Sequence, residues 1–488
     1  MEGREEANVP LLTSSPYHEG ELEFGLVKRA WEESKKLWTI VGPAMVTRVA
    51  MNGMIVVTQA FAGHLGDLEL AAITISSTVV VGFSFGLLLG MASAMETLCG
   101  QAYGAKRYHM LGVYLQRSWI VLLACAVLLL PMYVYATPLL LLIGQPEELA
   151  VEAGRLSLWF IPIHFCCALL LPQQRFLQCQ GKNMVNAIVS AAVFVLHVFL
   201  SWLCVSKLRV GVEGAAMILN LTWSITTLAQ FCYIVCGGCP LSWGGFSMEA
   251  FSDLWEFLKL SAASGVMLCL ENWYYRILVL LAGNMKNAEI AVDALSICMN
   301  INSWELMIPL AFFAGTGVRV ATELGAGNGK GARFATVISV ATSALIGLFF
   351  WVLIVAFHDK YAFIFTSSEV VAEAVDTLSL LLAFTVLLNS IQPILSGVAV
   401  GSGWQALVAY VNIGSYYVVG VPVGVLLGWM FNLGIWGLWV GMIGGTSVQT
   451  LILIILTMRC DWDKEARKAS TRMLKTWGST KSSMNIDA

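Results

Sequence analysis

Charge is what this chain has least of. Asp, Glu, Lys and Arg make up 12% of its 488 residues, where a soluble domain is nearer a quarter. That scarcity excludes a basic nucleic-acid surface, and the net charge of −3 favours partners of neither sign. There is also no polar block long enough to fold as a nucleotide-binding domain, and no GxxxxGK[ST] motif. "LGAGNGKGAR" (Leu324 to Arg333) has glycines and a lysine, but at the wrong spacing and with no strand before it. An ATP-driven pump is therefore excluded, no cofactor is expected, and nothing points to an enzyme. Nor do the 12 cysteines form a disulfide framework. They lie scattered in apolar runs such as "FCCALL" and "LLACAV" and read as small buried hydrophobes. "CGGCP" (Cys236 to Pro240) lacks the second pair or histidines of a metal site and reads as a turn leaving a helix. No cleavable signal peptide is expected, because the first 36 residues are polar and acidic. Within them "EEANVPLL" resembles an acidic di-leucine sorting signal with one residue too many.

Hydrophobic residues are abundant instead, at 58%, and the mean hydropathy is +0.75. A bilayer crossing needs about 20 apolar residues. Runs of that length predict twelve spans, near 37–60, 69–93, 115–138, 153–175, 185–207, 212–236, 257–282, 288–314, 334–357, 377–399, 405–429 and 434–457. The fold class is thus an all-α polytopic membrane protein. Lys and Arg set its orientation. With the N-terminus in the cytosol, only Arg155, Lys207, Arg209, Lys286 and Lys360 fall on the opposite side, Arg48 and Arg276 lie within spans, and the other 21 of 28 basic residues face the cytosol. Both termini are therefore expected to be cytoplasmic. The C-tail is read either as an amphipathic surface helix or as a solvated charged segment.

The halves repeat at an offset of about 222–225 residues. Gly90, Gly100 and Gly104 fall on Gly315, Gly325 and Gly329; "GRLSLWF" from Gly154 falls on "DTLSLLL" from Asp376; "GVEGAA" from Gly211 falls near "GIWGLW" from Gly434. Six spans per half is an even number, so the repeats are parallel, related by an axis along the membrane normal. The expected organisation is an N-terminal tail (1–36), an N-lobe (37–236), a cytoplasmic linker (237–256), a C-lobe (257–457) and a C-terminal tail (458–488). Two such lobes leave a cleft between them and alternate access by rocking. This is the plan of a gradient-driven transporter or of an uncoupled facilitator.

Ionisable groups inside spans are costly and point to function. Glu271 sits mid-span in the seventh crossing, on a face with Ser264 and Tyr274 or Tyr275. Arg276 follows at a spacing of about 140° around the helix, which makes pairing with Glu271 awkward. Span 8 carries Asp293, Ser296 and Asn300 at i, i+3 and i+7, with Glu305 further on. Span 10 carries Asn389, Gln392 and Ser396, and span 11 adds Asn412 and Tyr416. The first half shows no mid-span carboxylate, only Arg48, Asn52 and Gln59 in span 1 and His197 in span 5. Glu271, Asp293 and Glu305 are candidates for binding and releasing protons, because a dry pocket favours the neutral acid and hydration or a cation reverses this. The alternative is a permanent pairing of Glu271 or Asp293 with Arg276 or Arg48 that only fixes packing. The Tyr, Ser, Asn and Gln set, with Arg48 and Arg276, is the candidate cavity lining, and each member could equally be interhelical hydrogen-bonding. His64 is expected to cap the loop after span 1. The "NLT" triplet at Asn220 lies inside a span and is discounted as a glycosylation site.

Seven stretches, "GHLGDLELAA", "METLCGQAYGA", "LQRSWIV", "VMLCLENWYY", "VDALSICMNI", "VRVATELGAG" and "LSGVAVGSGWQ", together resemble the plant branch of the multidrug and toxic compound extrusion family, over roughly residues 37–460. Within it the likeness is to the DETOXIFICATION (DTX) type that moves flavonoids and related phenolic glycosides. The resemblance implies two six-helix lobes, a V-shaped cleft and proton-driven antiport, with Glu271 as the proton-linked acid. Better-known multidrug relatives have further acids at the positions of Arg276, Asn300 and Asn389. Their loss implies neutral or anionic aromatic cargo in place of organic cations. The expected partners are a small organic substrate, protons and the lipid bilayer. A monomer in the vacuolar membrane is the expected state, the plasma membrane being the alternative. A lipid-linked oligosaccharide flippase shares the two-lobe plan and is a competing reading.

Overall fold

The structure is a computed structural model that describes residues 19–282 and 288–472. The di-leucine-like stretch, Lys286 and the last part of the C-tail lie outside those residues. All regular structure among the described residues is helical. Ten helices are long and apolar enough to cross a bilayer. A bent pair makes an eleventh, and the 29-residue helix Leu254–Ala282 is long enough to be the twelfth.

In chain order the first six are α1 (Glu19–Gly63), α2 (Asp67–Gly104), α3 (Met110–Val134), α4 (Glu147–Trp159 continued by Ile161–Cys179 after a 49° bend), α5 (Asn183–Lys207) and α6 (Gly211–Gly238). The second six are α7 (Leu254–Ala282), α8 (Ala288–Gly325), α9 (Gly329–Ala356), α10 (Glu369–Ser402), α11 (Gln405–Met430) and α12 (Gly434–Met458). An even number of crossings puts both termini on one face of the membrane, called here the termini side. Each lobe has its own apolar core. One is built almost wholly from α1–α6, around residues such as Met54, Leu88 and Phe176. The other is built from α7–α12, around Leu295, Leu382 and Trp439.

Polar residues inside spans repair backbone breaks. At the α4 bend Asn220 accepts a hydrogen bond from Ile163 N at 3.1 Å and donates to Trp159 O at 2.5 Å, so the "NLT" asparagine is buried structure. His64 Nδ1 lies 2.8 Å from Ala60 O at the end of α1, the capping role expected of it. At the end of α6 the chain turns at Gly237, whose φ of +98° suits glycine; this is the "CGGCP" turn.

The repeated glycines are where the lobes touch. A Cβ on Gly90 would lie 2.7 Å from Gly265 Cα in α7. On its repeat mate Gly315 it would lie 2.6 Å from Val41 in α1. Gly100 meets Ala321 and Gly325 meets the Gln101 backbone. So α2 packs on α7 and α8, and α8 packs on α1, as a two-fold axis requires. The GxxxG spacing of Gly100 and Gly104 lets the backbones approach. We expect Gly325→Ala to cost about 1–3 kcal/mol by overpacking this seam. Gly42→Ala, with nothing within 4 Å of its Cβ, should not destabilise. Thermal unfolding midpoints of the two variants in detergent check this.

Three corrections to the expected boundaries follow. The first helix starts at Glu19, within the expected 1–36 tail. Its residue Glu33 is buried and pairs with Arg319 of α8 at 2.7 Å, while Arg319 also holds Glu323 at 2.6 Å. The second crossing continues past residue 93 to Gly104. The C-tail is neither a solvated segment nor a membrane-surface helix through residue 472. Residues 462–472 form a helix, α13, whose Trp462, Ala466 and Ala469 pack on Val320, Leu324, Ala332 and Val398.

Candidate functional site

α10 is broken where the site lies. Its helical hydrogen bonding stops at Asn389 and resumes at Gln392. Pro393, in the first turn of the resumed helix, has no N–H to continue the earlier one. The break points Gln392 at α7, where its Nε2 donates to the Glu271 carboxylate. Gln392 also reaches Ser396 Oγ at 3.1 Å. One turn after Glu271, Tyr275 donates its hydroxyl to Asn389 Oδ1 at 2.8 Å, and Asn389 Nδ2 donates to Asn302 Oδ1 at 3.0 Å. Ser390, inside the break, lies 3.5 Å from Glu305 Oε1, at the long limit of a hydrogen bond. Two carboxyls therefore flank one helix break. The Oε2 atoms of both are buried and without a hydrogen-bond partner among the described residues. Neither acid is in an ion pair among those residues. The arginine pairing considered for Glu271 is not what the structure shows.

The candidate set thus separates into groups. Glu271, Glu305, Tyr275, Asn389, Gln392 and Ser396 come together inside the C-lobe. Tyr274 and Tyr416, expected at the cavity, are fully buried in the C-lobe core. Their rings stack at 4.2 Å, and the Tyr274 hydroxyl bonds Met442 O at 2.8 Å. Their stripe faces α11 and α12 because Glu271 and Tyr275 take the side toward α10. Asn412 joins Met267 O (3.1 Å) and Gln449 (3.0 Å), tying α7, α11 and α12 together. Gln59 bonds Ser77 Oγ at 3.3 Å. His197 bridges Thr58 and Thr222, each at 3.1 Å, within the N-lobe. Asp293, Ser296 and Asn300 are exposed on α8 and outside this network. Asp293 lies about 18 Å along the helix from Glu305 at 1.5 Å per residue.

Arg48, Asn52 and Arg276 line a different space, the cleft between the lobes. Its volume is about 320 Å³, within the range of small-molecule sites. Walls of Met51, Phe85, Phe160, Trp223 and Met307 are apolar or aromatic, and Asn52, Gln174, Asn183 and Asn272 supply amides. On the termini side the cleft is shut. Thr97 bonds Val400 O at 2.5 Å, Gln101 bonds Gly401 O at 3.2 Å and Gln405 returns to Thr97 at 2.8 Å. α13 lies over this closure: Trp404 Nε1 donates to Glu465 at 3.2 Å and Arg472 reaches Gln101 at 3.2 Å.

The N-lobe does hold a carboxylate, contrary to expectation. Glu96, fully buried in α2, pairs with Arg175 of α4 at 2.7 Å. A Cβ on Gly317 of α8 would lie 2.7 Å from Glu96 Oε2, so the acid stands at the lobe boundary. Ending span 2 at residue 93 left it outside the membrane. The available signal was the GxxxG spacing of Gly100 and Gly104, which marks a helix still packed against helices there.

The family description MatE matches the chain twice, at residues 43–203 and 263–426, once per half. Protein DETOXIFICATION 27 of Arabidopsis thaliana is 63% identical over 476 residues, which is 97% of this chain and 98% of that one. Protein DETOXIFICATION 26 of the same plant is 58% identical, with 97% and 96% covered. Among solved structures, the eukaryotic MATE transporter AtDTX14 superposes with a TM-score of 0.87 at 34% identity, covering 91% of this chain and 99% of its own. A point mutant of the Vibrio cholerae MATE transporter VcmN reaches a TM-score of 0.80 at 18% identity, covering 89% and 99%; this is a likeness of fold alone.

Proposed function

We propose, from the premise that the chain belongs to the MatE family and is a multi-pass membrane transporter, that it is a proton-coupled antiporter of small organic molecules such as flavonoid glycosides. The observation that carries this reading is Glu271: a half-buried acid against a broken helix, with one hydrogen bond from an uncharged amide and, among the described residues, a buried Oε2 without a partner and no ion pair. An ionised carboxylate is expensive there, and carrying a proton removes that cost. Glu305 on the other side of the break is a second proton carrier. Asp293, outside the network, is the weaker of the three candidates. Movement at the Asn389–Gln392 break would change the hydration of both flanking acids, and so couple protonation to the lobe motion that opens the termini side.

The bias of Lys and Arg puts the termini in the cytosol, so the closed side faces the cytosol. Protons moving inward then drive cargo outward, or into the vacuole if the chain sits in the vacuolar membrane, the location the DETOXIFICATION resemblance favours. Each lobe has its own core, and the monomer contains a whole cleft. The test is uptake by proteoliposomes under an imposed pH gradient, comparing a flavonoid glucoside with a quaternary amine. Gradient-dependent uptake of the glucoside is expected. Uptake indifferent to the gradient, or a clear preference for the amine, rejects the reading.

A further inference from the structure

The central cleft is lined by three arginines, Arg48, Arg175 and Arg276, and among its described lining residues there is no aspartate or glutamate. Arg175 is ion-paired with Glu96 behind the wall, and the same carboxylate lies within electrostatic reach of Arg48. Arg48 and Arg276 have no hydrogen bond or ion pair among the described residues, and both face the cavity. They come from different lobes. Arg276 is six residues before the end of α7, about 9 Å from that end on the side away from the termini. Arg48 is near the middle of the apolar part of α1. Glu271, the candidate proton carrier, is not part of this lining. Its neighbour Asn272 is, and it donates back to Leu268 O at 2.9 Å.

A guanidinium in a membrane cavity needs an acceptor, and a planar two-oxygen anion matches its fork. The apolar and aromatic walls, with Phe85 and Trp223 edge to face at 6.2 Å, suit a flat ring body. We infer that the cleft binds aromatic organic anions, with the carboxylate or equivalent oxyanion met by a guanidinium at one depth of the cleft or the other, Arg48 or Arg276, and the ring system against the Phe85–Trp223 wall. This rests on the reading of the cleft as the cargo site, and it adds the charge of the cargo and the two residues that select it.

A matched pair of probes isolates the charge. Quercetin 3-O-glucoside and quercetin 3-O-glucuronide differ in whether the sugar carries a hydroxymethyl or a carboxylate. Equilibrium dialysis of the radiolabelled compounds against the full purified chain, at neutral pH and with no gradient, should give the glucuronide an affinity advantage of about tenfold or more, as charge-assisted hydrogen bonds supply. Arg48→Gln with Arg276→Gln should bring the ratio of the two affinities to about one. Arg48→Lys with Arg276→Lys should keep part of the preference. Retention of the elution profile of the unaltered chain shows that the variants are folded. Equal affinities in the unaltered chain, a preference that survives the double Gln variant, or no saturable glucuronide binding overturns the inference. Proton coupling is not involved in this measurement. A chain that prefers the glucuronide but ignores a pH gradient defeats the antiport reading and leaves this one standing.

Discussion

Glu271→Gln is expected to reduce pH-gradient-driven uptake to the level of liposomes without protein, while the variant still folds and still binds cargo. Glutamine keeps the shape of the side chain and can still meet Gln392, but it cannot exchange a proton. The change should therefore fall on coupling, not on the cleft, since Glu271 does not line it. Uptake assayed beside equilibrium binding separates the two. Full gradient-driven uptake in the variant would make this carboxyl a packing element and leave proton coupling to another group. Glu305→Gln should weaken coupling as well, because its carboxyl borders the same break.

The second large effect concerns stability. Arg175→Met leaves Glu96 buried at the lobe boundary without its ion-pair partner. Removing one partner of a buried pair costs about 3–5 kcal/mol, whereas removing both charges is often close to neutral. The single variant should lose much of its folded yield and unfold many degrees lower. The double variant Glu96→Gln, Arg175→Met should recover most of that loss. Thermal unfolding of the single and double variants in the same detergent checks it. If the double variant is as unstable as Arg175→Met alone, Arg175 is needed for its packing and its bond to Gln178 (3.1 Å), and not to neutralise Glu96.

The sequence carried the architecture well, because apolar runs and basic loops report directly on a bilayer. Glycines repeated at one offset marked the two halves, and the structure puts those glycines at the lobe contacts. Periodicity served the site less well. It placed Tyr274 and Glu271 on one face, but the face is wide, and Tyr274 turns to stack on Tyr416 while Glu271 turns to Gln392. The break in α10 is what brings Gln392 to Glu271, and an interruption of two residues in an apolar run barely alters its hydropathy. Glu96 was missed for a related reason. Its segment ends a hydrophobic stretch, and hydropathy cannot tell a span's end in water from one enclosed by other helices. The stripe at Asp293, Ser296 and Asn300 was regular on the helix, yet regularity alone does not say which neighbour it faces.

The helix at residues 462–472 has a mechanical consequence. Trp462, Ala466 and Ala469 sit on the C-lobe, while Arg472 reaches across to Gln101 of the N-lobe. When the two halves separate at that face, this strap must let go of one of them. By linkage, whatever grips the strap favours the shut state, and whatever pulls it away favours the open one. A bulky tag or a charged modification on the tail would then act as a thumb on the balance between the two access states, without touching cargo or proton.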